Sequence, residues 1–221
     1  MQWSWEFTYE IMPRMLWATL NTLMAAGIGY AIAVVLGLVL ALAQRTPYRG
    51  LTLVVREVVE FIRSTPLVLQ IFFVYYVGPQ YGLNLSPWVA GMIAIGLHYA
   101  SYLSEVYRGG IESVAKGQWE ACTALNMTPM KTYFRVIIPQ ALPPSVAGMG
   151  NYLVGIVKDT PMLSVIGVAE LMHAANAIGG QNYRYLEPYT IVGVVFLMIS
   201  LPSAGLIRAF EAWVRRKLGM R

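Results

Sequence analysis

From residue 15 to residue 44 the chain carries no Asp, Glu, Lys or Arg. That run restricts the fold more than any other feature. Roughly 20 mostly apolar residues in a helix cross the hydrocarbon core of a bilayer, whereas a helix apolar all round has few places in a soluble domain. Three more uncharged runs follow, at 64–104, 136–157 and 188–207. The first of these is broken by Gly78, Pro79, Gly82, Ser86 and Pro87, a cluster that marks a turn between two helices. Each half is short of a full span and extends into the flanking charged turns. The pattern predicts an all-α integral membrane protein with a single domain over 1–221. About five transmembrane helices are expected, near 16–43, 57–77, 87–107, 140–164 and 188–210.

Composition agrees and excludes other classes. Hydrophobic residues make up 57% of the 221 and charged ones 12%, whereas ordinary soluble domains run near 25% charged. The net charge of +5, from 16 bases and 11 acids, is too sparse for a nucleic-acid-binding tail; on so apolar a chain it sets membrane orientation. An outside N-terminus places 45–63, 105–135 and 208–221 in the cytoplasm. These segments hold four, four and five bases, or 13 of the 16, leaving Arg14, Arg184 and Lys158. The C-terminus is then cytoplasmic. The first 14 residues carry Glu6, Glu10 and only Arg14, without the basic start of a cleaved secretory signal, so the first span is expected to remain as a helix.

Two patterns describe packing. Ala25, Gly29, Ala33, Gly37 and Ala41 recur every four residues, which lets a second helix approach closely. Arg56, Glu57, Glu60 and Arg63 make one polar stripe on a cytoplasmic helix extension, with Arg56–Glu60 and Glu60–Arg63 at ion-pair spacing. Between the third and fourth spans, 109–139 is long and polar. Gln118 to Leu125 reads as a short amphipathic helix ended by Asn126, which tolerates left-handed geometry. Thr128–Pro129 then starts a second helix, and Pro139, Pro143 and Pro144 are expected to stop or kink the helix there.

This loop resembles the signature loop of ABC-importer permeases: Glu-Ala-Ala, three residues, Gly, nine residues, Ile, any residue, Leu, Pro. Glu120, Ala121 and Pro139 match with the spacing intact; Cys122, Asn126, Val136 and Ile138 replace Ala, Gly, Ile and Leu. FIRSTPLVLQIFFVYY (61–76), SEVYRGGIESVAKGQWEA (104–121) and IVKDTPMLSVIGVAEL (156–171) are similar to segments of the polar-amino-acid subfamily, the histidine, glutamine and arginine type. Within it the chain also resembles permeases for ectoine and hydroxyectoine. The resemblance implies a bacterial inner-membrane permease working with a cytoplasmic ABC ATPase dimer and an extracytoplasmic solute-binding protein. It also implies a second homologous permease, with a heterodimer favoured over a homodimer. Gln118, Trp119, Glu120, Ala121, Leu125 and Asn126 would form the ATPase contact. No GxxxxGK[ST] loop is present, so ATP belongs to the partner and the chain needs no cofactor of its own.

Lys158 and Asp159 interrupt an apolar stretch just before Thr160–Pro161. Charges at membrane depth cost at least about 2.5–3.5 kcal/mol each, so both are expected to face the bundle interior. Pro161 breaks the helix, which transporters tolerate beside a cavity. Lys158 is expected to neutralise a substrate carboxylate, while Asp159 or Glu105, near Tyr102, faces the cationic end. The alternative is a gradient-driven carrier with Lys158 and Asp159 as an ion relay, which leaves the loop unexplained. A membrane-embedded enzyme has no nucleophile–base pair or clustered carboxylates to use. His98 and His173, 75 positions apart, are expected to pack or hydrogen-bond rather than hold a metal; Cys122 packs; Tyr183, Tyr185 and Tyr189 suit an interfacial belt.

Overall fold

The structure, a computed structural model, describes residues 2–217; Arg221, one of the bases used for orientation, lies outside them. Among the described residues the elements are helical throughout. Helix α1 (Trp5–Ala43) is capped by Ser4, whose hydroxyl accepts from the Phe7 amide. It therefore starts well before the run that predicts it, because Ser4 and Glu6 supply the cap and first-turn acid that a helix start favours. Helix α2 (Arg49–Ser64) follows, then α3 (Leu67–Phe72), which continues through a π turn, Phe73–Val77, and a 3-10 turn, Gly78–Tyr81. Helix α4 (Pro87–Glu112) returns, with Ser86 as its cap.

The expected second span, 57–77, is not one straight helix. α2 and the α3 segment meet at 108°. Pro66 pushes Thr65 into extended backbone (φ −107°, ψ 141°), which ends α2 there. Beyond α4 lie α5 (Lys116–Ala124) and α6 (Pro129–Thr132), then a π turn, Tyr133–Ile137, that runs directly into α7 (Ile138–Asp159). Pro139, Pro143 and Pro144 thus lie inside helical structure and do not stop it. The π turn explains the first: Ile138 N–H bonds Tyr133 O, five residues back, and the wider turn makes room for the Pro139 ring. The same device precedes Pro79, where Gly78 N–H bonds Phe73 O.

After α7 a 3-10 segment, Thr160–Ile166, leads through Gly167 (φ 82°) to α8 (Leu171–Asn182), and α9 (Leu186–Lys217) closes the bundle. Two described helices, Trp5–Ala43 and Leu186–Val214, are long and apolar enough to cross a membrane, and up to four spans result if each of two bent pairs is one. α4 is absent from that set because His98, three tyrosines and two serines interrupt its apolar residues. It can be polar since it lies in the middle of the bundle, against α1, α2, α3 and α7, where its neighbours are protein rather than lipid.

The four-residue stripe on α1 faces α4, and all five of its small residues are buried. A Cβ on Gly29 would lie 2.7 Å from Ile95 Cγ2, and one on Gly96 would lie 2.5 Å from Ile32 Cγ2. Each helix therefore needs a glycine for the other to approach, the close packing that small-xxx-small spacing permits. At the end of the bundle holding the chain's start, buried Glu187 accepts from the Ser4 amide and pairs with Arg184, which also donates to Gln2 O. Glu170, also buried, caps α8 by accepting from the Met172 and His173 amides.

Candidate functional site

Two places on the chain carry candidate chemistry. The first is the loop helix α5. It ends with both hydrogen bonds of a Schellman cap: Met127 N–H to Cys122 O and Asn126 N–H to Thr123 O, each 3.0 Å. That cap requires a left-handed residue, and Asn126 has φ 51° as its sequence position predicts. Thr128 then caps α6 by accepting from the Lys131 amide.

The six residues expected to form the contact divide between two faces. Trp119 is half-buried and turned inward, with Arg45 5.7 Å over its ring and Tyr133 edge-on at 5.5 Å. Gln118 accepts from Gln140 across 3.1 Å. Glu120, Ala121, Leu125 and Asn126 are exposed, and Leu125 is 75% so. Cys122 is buried beneath the helix as a packing residue. Trp119 from the inner face and Gln118 at the exposed edge thus fix the helix beside Arg45, just past α1, and to the start of α7, while an acid and an exposed leucine stand outward.

The second place is a cavity of about 590 Å³ between α4 and α7. From α4 come His98, Tyr99, Tyr102 and Val106; from α7 come Gly148, Asn151, Tyr152, Gly155 and Asp159. Those spacings, i, i+1, i+4, i+8 and i, i+3, i+4, i+7, i+11, are single helix faces turned towards each other. Tyr99 Oη donates to Asp159 Oδ2 at 2.6 Å. Tyr99, Tyr102 and Tyr152 lie 5.4–6.2 Å apart, ring centroid to ring centroid. A Cβ on Gly155 would come within 3.0 Å of Tyr99 Oη, so the glycine leaves room for that hydroxyl to reach Asp159.

Behind the cavity a polar network reaches the break between α2 and α3. His98 Nδ1 is 3.2 Å from Gln70 Oε1, a contact that places the proton on Nδ1. Gln70 Nε2 lies 2.7–3.1 Å from Ile62 O, Thr65 O and the Thr65 hydroxyl. Tyr102 Oη donates to Arg63 O at 3.3 Å, and the Arg63 guanidinium lies 5.4 Å over the Tyr102 ring. The Glu60–Arg63 pair of the polar stripe forms at 3.2 Å.

Of the four residues expected along the substrate path, Asp159 and Tyr102 line this cavity. Lys158 is exposed and is not among the lining residues, so the adjacent charges do not both face the interior of this chain. One helical step of 100° separates their directions, and Tyr99 holds only Asp159 inward. Glu105 also stands apart. Arg108 binds it at 2.7 Å and reaches Glu112 at 2.9 Å, which keeps it in a rim ion-pair cluster. Sequence reasoning missed Tyr152, Asn151 and Gly155 altogether; their i, i+3/i+4, i+7 relation ending at Asp159 was the available signal. His98 hydrogen-bonds, as expected of it, and also lines the cavity. No group of three or more metal-ligating side chains occurs among the described residues.

Comparison with known proteins gives concordant results. The family described as binding-protein-dependent transport system inner membrane component matches residues 10–216. A probable amino-acid ABC transporter permease protein of Sinorhizobium fredii is 42% identical over 205 residues, covering 93% of this chain and 89% of that protein. An L-cystine transport system permease protein of Bacillus subtilis is 33% identical, covering 94% and 93%. Among solved structures, the crystal structure of an amino acid ABC transporter with histidines superposes with a TM-score of 0.87 at 32% identity, covering 96% of this chain and 99% of that one.

Proposed function

This chain belongs to the family of inner membrane components of binding-protein-dependent transport systems, and from that premise we propose a division of labour between its two candidate regions. It is the permease component of an amino-acid ABC importer, a bacterial inner-membrane protein whose ATPase is a separate chain and whose family works with a solute-binding protein. In the division we propose, the cavity between α4 and α7 takes a polar amino acid or a similar small zwitterion, ectoine and hydroxyectoine included. Asp159 receives the cationic end. The carrying observation is a carboxylate oriented by Tyr99 and open to a cavity of about 590 Å³.

The loop helix α5 docks into a cytoplasmic ATPase dimer through Glu120, Ala121, Leu125 and Asn126, while Trp119 and Gln118 hold the helix to the bundle. Its exposed outer face and anchored inner face support this. The N-terminus lies outside and the C-terminus in the cytoplasm, an orientation supported by the distribution of bases. Lys158, exposed at membrane depth, is assigned to the path shared with a second homologous permease, since a lysine there cannot face lipid cheaply. A heterodimer is the favoured pairing.

The gradient-driven alternative has lost its support: the energy source is a separate ATPase, and Lys158 and Asp159 face different sides. The test is uptake by cells carrying the whole importer. Asp159→Asn is expected to abolish substrate-dependent uptake and Glu105→Gln to leave its apparent affinity unchanged. Unaltered uptake in Asp159→Asn contradicts the assignment of the cavity.

A further inference from the structure

His98 carries a nitrogen that the fold leaves unused. The residue is 8% exposed and lines the α4–α7 cavity, its ring braced by Tyr99 and Tyr102 at centroid distances of 5.4 and 5.1 Å. Nδ1 points out of the cavity, towards Gln70 on α3, which is not among the lining residues. The ring's other nitrogen, Nε2, is left on the cavity side, and nothing among the described residues bonds it.

The neighbours of Gln70 decide what that nitrogen can do. Gln70 Nε2 meets the carbonyls of Ile62 and Thr65, which only accept, and the Thr65 hydroxyl, whose own hydrogen goes to Phe61 O or Ile62 O. The amide nitrogen must face all three, so Oε1 faces His98. An acceptor opposite Nδ1 puts the proton there, which in the neutral ring leaves a lone pair on Nε2. The tyrosine hydroxyls and the Asn151 amide in the lining can donate or accept as a ligand requires. His98 Nε2, like the Asp159 carboxylate, can only accept. The cavity thus holds a fixed acceptor on each of its two facing helices. We infer that His98 is a substrate-binding residue, whose Nε2 takes an N–H of the solute's cationic end while Asp159 meets its charge. Asp159 already has one oxygen engaged by Tyr99, so a second acceptor on the opposite wall spares the cost of an N–H left unmet after dehydration.

The inference rests on the reading of the Asp159 cavity as the substrate site, and the test separates the two. Binding is measured to the complete permease–ATPase complex in lipid nanodiscs, counted per complex that keeps its ATPase. The probe is whichever of radiolabelled L-histidine, L-glutamine, L-arginine and ectoine the wild type retains most tightly. Two variants divide the nitrogens. In His98→Asn the amide sits near the position of Nδ1, where it still donates to Gln70 but offers the cavity nothing. In His98→Gln the amide sits near the position of Nε2 and still offers an acceptor. His98→Asn is expected to weaken binding by roughly tenfold to a hundredfold, as the loss of a hydrogen bond from a charged donor does, and His98→Gln to stay within about threefold of wild type. The opposite order shows that the ring only braces Gln70 and overturns the inference, as do equal losses, or no loss, in both variants. Asp159→Asn is run alongside. If it weakens binding while His98→Asn does not, the inference alone falls; if it leaves binding untouched, the cavity is not the substrate site and the underlying reading falls with it.

Discussion

The loop helix α5 and the α4–α7 cavity are built in opposite ways. The loop gathers its functional side chains within nine consecutive positions, from Gln118 to Asn126, and turns Glu120, Ala121, Leu125 and Asn126 outward around one capped end while Trp119 faces in. The cavity draws on two helices whose paired residues, Tyr99 and Asp159, are 60 positions apart, and turns its side chains inward. A surface that meets a protein partner can be local, because the partner supplies the other half. A site for a small solute must surround it, and so needs tertiary packing to assemble. The difference implies that the two regions fail separately when altered.

Asp159→Asn should have the largest effect. Removing the charge while keeping the shape costs the charge-assisted contact to a cationic ligand, about 1.5–3 kcal/mol, or roughly tenfold to over a hundredfold in affinity. Equilibrium binding to the purified complex reads it, and the amount of ATPase retained should not change. Glu120→Lys comes next and should do the reverse. Reversing a docking charge costs about 2 kcal/mol, near thirtyfold, in retention of the ATPase, with solute binding intact. An equal loss of both readouts in either variant breaks the comparison.

Trp119→Ala sharpens it. It removes the contacts with Arg45 and Tyr133 that anchor α5, worth about 1–2 kcal/mol together. ATPase retention should fall by roughly tenfold although Trp119 itself faces inward. Gly155→Ala should displace Tyr99 Oη by a few tenths of an ångström and weaken solute binding by roughly threefold, about what a stretched hydrogen bond costs. The smallest expected effect is at Asn126. Alanine at φ 51° should cost about 1 kcal/mol and lower ATPase retention a fewfold, whereas glycine should be neutral. Identical behaviour of the two would show that the cap does not position the loop.

The same contrast explains what could be read from the sequence. The loop was legible because its constraints are local: the left-handed Asn126, the Thr128 cap and the Glu120–Pro139 spacing all lie on one continuous segment. The small-residue stripe on α1 was legible too, since four-residue spacing fixes a face whatever its partner. The cavity was only half visible. Asp159 drew notice as a charge at membrane depth, but so did Lys158, and only the fold separates their directions. Tyr152 and Gly155 carry no signal beyond helical periodicity. The bend at Thr65 falls where the charged stripe of 56–63 gives way to the uncharged run that starts at 64; the expected span 57–77 runs across that junction, although Pro66 stands there to cause the bend. The prolines of α7, expected to stop or kink the helix, do not stop it, because a π turn accommodates the first of them.

The most direct test is a single pull-down of the tagged chain from its membranes in mild detergent. In one eluate, the ATPase is quantified and a retained radiolabelled solute counted, taken from a panel of polar amino acids and ectoine. Wild type, Asp159→Asn and Glu120→Lys are run side by side. Crossed losses are expected: Asp159→Asn keeps its ATPase and loses the solute, and Glu120→Lys keeps the solute and loses its ATPase. Losses that fall together in both variants, or solute fully retained by Asp159→Asn, would contradict the division of labour between cavity and loop.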